Sequence, residues 1–280
     1  MSIHSSAKDT PSYTDVESSV ESKPIKESSS ISWAQNLNSL NTSHSSTLSQ
    51  RKLALIPARS GSKRIPHKNI KDFCGKPIIS YSICTALESK LFNEVIVSTD
   101  SEQIADIARS YGANVPFLRP KALSDDFTST AKVAKHAITK LNLDDNDLLC
   151  VIYPTAPLLK TESIARTLDI LLADSNKLFA FCAVAYDYNP YRSFLLSSGS
   201  PEMLFPAHYT MRSQDLCPVF HDAGQLYWGR AYAWRKELPI FARHSGAIIL
   251  NEHEVQDIDT PEDWLMAEMK YTLQSAHKTI

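Results

Sequence analysis

The 280-residue chain lacks the usual shorthand for metal, disulfide or membrane chemistry. Its five cysteines (Cys74, Cys84, Cys150, Cys182, Cys217) are scattered, odd in number and never paired as CxxC. No zinc spacing or disulfide framework can be read from them, and five reduced, mostly buried thiols in a cytoplasmic protein are expected. No apolar run is long enough for a membrane span, and the N-terminus has no signal-peptide core. A surplus of one charge is also missing. Lys and Arg number 29, Asp and Glu 31, and the formal net charge is -2, which argues against general attraction to nucleic acid or membrane surfaces. Any positive patch must be local. What the chain does have is 43% hydrophobic residues, enough for a sizeable core in one large domain or two small ones.

Residues 1–50 differ from the rest. Ser, Thr, Asn and charge dominate, without sustained periodicity, so a disordered tail is expected. The alternative, an organelle transit peptide, is opposed by Asp9, Asp15, Glu17, Glu21 and Glu27 and by the lack of Arg. From residue 51 onward, apolar strands (LALIP, EVIVSTD, DLLCVIYPTAP, FAFCAVAY) alternate with helical patterns. This predicts an α/β domain over 51–280, with a parallel sheet covered by helices on both faces. In SEQIADIARSYGA, Asp100 is the expected N-cap, Gln103 lies three positions on, and Gly112 is the C-terminal stop. Between 186 and 220 prolines, aromatics and polar turns break the rhythm, which predicts an excursion from the sheet, either a lid or an arm to a partner subunit.

Two segments carry chemistry. In LALIPARSGSKRIPHKN, Arg59, Lys63, Arg64 and Lys68 crowd around one glycine at the end of the first strand. Gly61 stands alone, so the loop is neither GxGxxG nor a Walker loop. Ligands of an open parallel sheet bind beyond the carboxyl ends of its strands, where cations and backbone N–H groups can cradle polyphosphate. The competing reading is an ordinary solvated basic loop. Near the other end stands DIDTPED. If it is a strand end, Asp257 and Asp259 project to one side and repel unless a cation sits between them. Mg²⁺ suits two carboxylates plus phosphate oxygens. The alternative is that these acids only decorate a helix N-terminus, with Thr260 as cap and Pro261 in the first turn; that accounts for Asp263 better than for Asp257. Together the loops suggest phosphoryl or nucleotidyl transfer from a nucleoside triphosphate.

IPARSGSKRIPHKN, VSTD, LRPKALSDD, YPTAPL and DIDTPEDW, in this order, resemble the cytidylyltransferases that make CMP-activated acidic sugars, the CMP-sialic acid synthetase family. YTMRSQDL and HDAGQLYWGRAYAW are similar to its pseudaminic acid branch, with DAGQ where sialic acid enzymes usually show an NGA-type segment. The resemblance implies a Rossmann-like fold of the nucleotide-diphospho-sugar transferase type, with 186–220 as a protruding dimerisation arm in a homodimer. It implies transfer of CMP from CTP to the anomeric hydroxyl of a nine-carbon acidic sugar, pseudaminic acid, with Mg²⁺ and release of pyrophosphate.

By the same resemblance Arg59, Lys63 and Lys68 hold the triphosphate and Asn69 meets the ribose. Arg119, Thr128 and Thr130 form the cytosine pocket, Asp257 and Asp259 hold the metal, and Gln225 and Tyr227 lie by the sugar. Without the resemblance, Arg119 reads as a surface arginine before a proline turn. Arg212 or Arg192 would meet the sugar carboxylate, and His221 and Asp222 are the candidates for a general base. Ser60 replaces a usual second glycine, at a cost of about 1 kcal/mol if that position needs positive φ. The alternatives are an enzyme for N-acetylneuraminate, Kdo or another nonulosonate, and a non-catalytic nucleotide-binding scaffold.

Overall fold

The computed structural model describes residues 50–277; apart from Gln50, the serine-rich tail expected over 1–50 lies outside them. The chain runs through β1 (Lys52–Pro57), a small hairpin of β2 (Asp72–Phe73) and β3 (Lys76–Pro77), α1 (Ile78–Ser89), β4 (Glu94–Ser98), α2 (Glu102–Ser110), α3 (Thr130–Lys140) and β5 (Leu148–Ile152). There follow α4 (Thr161–Ala173), β6 (Phe179–Ala185), a second hairpin of β7 (Phe194–Ser197) and β8 (Ser200–Met203), β9 (Phe220–Arg230), α5 (Ala231–Arg235), β10 (Ser245–Leu250) and α6 (Pro261–His277).

The main sheet has the order β10-β6-β9-β5-β1-β4. It is parallel except for β9, which is antiparallel to both β5 and β6. Burial follows position. β5 (LLCVI) is buried throughout, as a central strand with helices on both faces must be. Edge strand β10 alternates, with Ile248 and Leu250 buried and Ile249 exposed. The free edge of β4 is partly covered by single bridges from Asn114 and Leu118, which limits open backbone. One face packs on α1, α2 and α4 through Ile79, Ile83, Ile104, Ala108, Ile164 and Leu168. The other packs on α3 and α5 through Ala134, Ile138 and Trp234.

A third, smaller core positions the site. Ile65 from the basic loop, Phe73, Ile78 of α1, Ile258 from the acidic loop, and Trp264 and Ala267 of α6 are buried together. Phe73 meets Trp264 edge-on at 5.5 Å. The first and last functional loops therefore share one anchor.

Between β6 and β9 the chain leaves the main sheet. Tyr186 N donates to Val219 O at 3.0 Å across the base of this excursion, and β7 and β8 pair only with each other. Two local expectations change. The N-cap of α2 is Ser101, whose Oγ accepts from Ile104 N, while Asp100 faces the basic loop. DIDT is a loop between β10 and α6, not a strand end. The capping pattern at Thr260 holds: Asp263 Oδ2 accepts from Thr260 N at 2.8 Å, and Thr260 Oγ1 accepts from Asp263 N at 3.2 Å.

Gly229 marks close packing in the core. A Cβ there would sit 2.6 and 2.7 Å from ring carbons of buried Phe179, as well as against the Trp234 indole. Gly229→Ala should therefore destabilise the domain by about 1–3 kcal/mol. A lowered denaturation midpoint would verify this; an unchanged one would refute it.

Candidate active site

The chain leaves β1 toward β4 and then returns to the other side of β1 as β5. A crevice opens at such a reversal, beyond the carboxyl ends of the strands. There lies a cavity of about 350 Å³, lined by Pro57, Arg59, Ser62, Arg64, Lys68 and Asn69 from the basic loop, together with Arg119, Asp126, Thr128, Thr130, Tyr153 and Asp259.

The basic loop is held from inside. Asn69 is 6% exposed, and its Nδ2 donates to Arg59 O at 2.9 Å. Ser60 N and Oγ both donate to the Asp100 carboxylate at 2.8 Å. Ser60 is not among the residues with positive φ, so serine in place of glycine strains nothing; it supplies a tether instead. His67 carries the left-handed turn, at φ 52°.

All four loop cations are paired. Arg59 and Lys63 contact the two oxygens of Asp126, at 2.5 and 2.6 Å. Arg64 lies 2.9 Å from Asp259. Lys68 donates to Ile258 O at 2.6 Å and reaches Asp259 at 3.4 Å. Thus the basic and acidic loops, 190 residues apart, close on each other. Asp257 is exposed and, like Lys63, does not line the cavity; partial desolvation of its carboxylate, and then the charge of Asp259, push its pKa above the usual carboxylate value. Gly224, at φ 60°, turns β9 past this carboxylate.

Arg119 is 5% exposed, so the surface-arginine reading is wrong. Its backbone N donates to Thr99 O at 2.7 Å, and its Nε donates to Ser124 Oγ at 3.1 Å, leaving the guanidinium end toward the cavity. Burial lowers its pKa from the ordinary value. Thr128 N and Oγ1 both donate to Asp125 Oδ1 at 2.7 Å, and Thr130 Oγ1 lies 3.2 Å from Tyr153 OH.

Other expected residues sit outside the cavity. Gln225 is buried beside it: its backbone O accepts from Tyr153 N at 2.8 Å, its Nε2 donates to Glu254 O at 2.6 Å, and its Oε1 has no partner. Tyr227 packs on Tyr153 and donates to Asp222; burial first, and its tyrosine neighbour next, raise its pKa. Arg212 lies in the excursion, paired with Asp215 at 2.7 Å, and does not line the cavity. Arg192 is likewise in the excursion, donating to Met211 O at 2.9 Å. His221 is exposed and bonds the Asp222 carbonyl. Sequence reasoning missed Tyr153, which follows β5 at the start of YPTAP, and Asp126, hidden in SDD as one more loop acid.

Residues 53–200 match the model of a family described as cytidylyltransferase. The chain belongs to the cytidylyltransferase family. It is 43% identical over 224 residues to a pseudaminic acid cytidylyltransferase of Campylobacter jejuni, covering 79% of this chain and 96% of that one. It is 33% identical to a CMP-N,N'-diacetyllegionaminic acid synthase of Legionella pneumophila, covering 78% and 95%. Among solved structures, a CMP:2-keto-3-deoxy-manno-octonic acid synthetase complexed with CTP superposes with TM-score 0.61 at 16% identity, over 81% of this chain and 100% of that one. That likeness establishes the nucleotidyltransferase fold. As a cytidylyltransferase, the chain is an enzyme of the nucleotidyltransferase type. No helix among the described residues is long and apolar enough to cross a membrane.

Proposed function

We propose that this cytidylyltransferase transfers CMP from CTP to the anomeric hydroxyl of a nonulosonic acid, pseudaminic acid, releasing pyrophosphate. The observation that carries the reading is the meeting of Lys68 with Asp259 at the mouth of a cavity that also holds buried Arg119. The kinship to pseudaminic acid cytidylyltransferases and the DAGQ segment favour that sugar over N-acetylneuraminate or Kdo.

The reaction is an in-line displacement in which the sugar oxygen attacks the α-phosphorus and pyrophosphate departs. Arg59 and Lys63 hold the β- and γ-phosphates and offset charge on the leaving group. Lys68 backs the acidic loop against the phosphates. Asn69 spends one amide N–H on the loop, which leaves its second N–H and its Oδ1 for the ribose. Arg119 donates to the acceptor edge of cytosine, with Thr128 and Thr130 beside it. Gln225 and Tyr227 back the sugar side. The homodimer is proposed through the excursion, which exposes Phe194, Leu195 and Leu196 on one strand and Tyr188 and Tyr209 beside it. Arg212, which does not line the cavity of its own subunit, would meet the sugar carboxylate across that dimer. A cytoplasmic setting accords with five free thiols, although only Cys150 and Cys182 are buried, fewer than expected.

Among the described residues no three His, Cys, Asp or Glu gather as a metal cage. Mg²⁺ does not require one, since it takes one or two carboxylates and completes its shell with water and phosphate oxygens. Asp257, raised in pKa beside Asp259, fits that demand, because a divalent cation relieves the cost of ionising it. Mg²⁺ on Asp257 and Asp259 would polarise the α-phosphate and lower the pKa of the sugar hydroxyl.

The test is pyrophosphate release from CTP with pseudaminate and N-acetylneuraminate in parallel. Turnover with pseudaminate at least tenfold faster is expected. Preference for the other acid reassigns the sugar. CTP binding with Mg²⁺ but no pyrophosphate from any acidic sugar would support the scaffold alternative.

A further inference from the structure

Asp126 has no place in the chemistry above, yet it occupies the cations that this chemistry needs. Its two oxygens reach Arg59 and Lys63 separately, at 2.5 and 2.6 Å, as two oxygens of one phosphate would. Hydrogen bonds from Lys63 first, and from Arg59, hold its pKa below the usual carboxylate value. It stands in the loop after Ser124, on the wall facing the basic loop, beside Phe127, which is 92% exposed. Phe127 is not packed into the core, so the Asp126 side chain can leave its two cations without loss of core contacts, while Ser124 and Thr128 keep their hydrogen bonds to Arg119 and Asp125.

We propose that Asp126 is a displaceable internal counter-ion, a specificity-determining residue that competes with the β- and γ-phosphates for Arg59 and Lys63. The inference rests on the reading of those two residues as triphosphate ligands. In the ligand-free enzyme the carboxylate neutralises both cations. A polyphosphate tail, with more charge than one carboxylate, displaces it. A ligand carrying only an α-phosphate leaves it in place. After transfer, its return to Arg59 and Lys63 opposes retention of pyrophosphate. The cavity thereby distinguishes CTP from CMP by what must be displaced as well as by what is gained.

The experiment measures affinities of CTP, CMP and inorganic pyrophosphate for the full chain and for Asp126→Asn, by calorimetry in one magnesium buffer. Asp126→Asn should bind CTP and pyrophosphate about five- to tenfold tighter, the scale of two exposed ion pairs that need no longer be broken. CMP affinity should change less than twofold. The gain should shrink as salt is raised, and KM for CTP should fall without a rise in kcat. Asp126→Ser, a second removal of the charge, should reproduce the pattern, which ties it to charge rather than to a fold defect. Unchanged or weakened CTP binding in both variants, or equal tightening of CMP, overturns the proposal. Arg59→Ala separates the two levels: if it too leaves CTP affinity intact, the triphosphate reading itself is wrong, whereas if it weakens CTP while the Asp126 variants do nothing, only the counter-ion role is lost.

Discussion

Asp257→Asn should cut turnover by about 10²–10³-fold, the scale seen when one group that stabilises a transition state is removed, and it should raise the melting temperature of the ligand-free enzyme at neutral pH. The two effects share a cause. Partial desolvation, and then the charge of Asp259, raise the pKa of Asp257 in the folded protein. The folded state therefore holds this proton more tightly than the unfolded chain does. The resulting stability is fully present below the unfolded value, about 3.9, and is lost as pH rises through the folded value. At pH 7 the ionised carboxylate works against folding, though only slightly because solvent screens an exposed group, and asparagine removes that penalty together with the proposed metal ligand. Thermal melts of both proteins between pH 3 and pH 8 should diverge in favour of the variant as pH rises and then run parallel. Asp259→Ala should also abolish turnover and the response to Mg²⁺, but without the gain, since its carboxylate is already balanced by Arg64 and Lys68. A variant at either position with near-normal turnover ends the metal assignment, and an Asp257→Asn protein less stable than its parent ends the account of the pKa.

Arg119→Lys should reduce kcat/KM for CTP by about 10- to 150-fold, while changing the use of UTP, expected to be poor in the parent, much less. Cytosine presents acceptors at O2 and N3, whereas uracil presents a donor at N3. A guanidinium fixed at its Nε by Ser124 keeps its two remaining nitrogens for the cavity, where the proposed cytosine edge would accept from them. Lysine keeps the charge but offers one mobile ammonium, so a buried edge is left partly unpaired at about 1–3 kcal/mol. The readout is the ratio of CTP to UTP specificity constants. If that ratio survives, cytosine is recognised elsewhere, with Thr128 and Thr130 as the next candidates.

Much of this was legible beforehand, and particular residues show why. The all-apolar LALIP and LLCVI could only be central strands of a covered sheet, and that is where they lie. Thr260 and Asp263 announced the start of α6 because capping is a matter of three or four adjacent residues. Asp257 and Asp259 were marked by their spacing, although the strand invoked to align them is a loop. Asp100 was misread for a related reason: Asp and Ser are equally good caps, and the choice between them was made by Ser60, 40 residues earlier, which claims the Asp100 carboxylate. Arg119 read as a surface residue because nothing local buries it. Its burial depends on β4, through Thr99, and on Ser124.

Local order therefore came from the amino-acid sequence unaided: the apolar strands, the start of α6, and the presence of one cationic and one acidic loop. Propensity, capping and hydrophobic period act over a few residues, so they can be read along the chain. Which charge faces which was settled only in three dimensions. Ile65 and Ile258 are buried in the same small core, and that shared anchor brings Lys68 onto Asp259, while the packing of α3 against the sheet sets Asp126 opposite Arg59 and Lys63. Ion pairs are weak beside the burial that positions them, so partners are chosen by the core and not by the charges themselves.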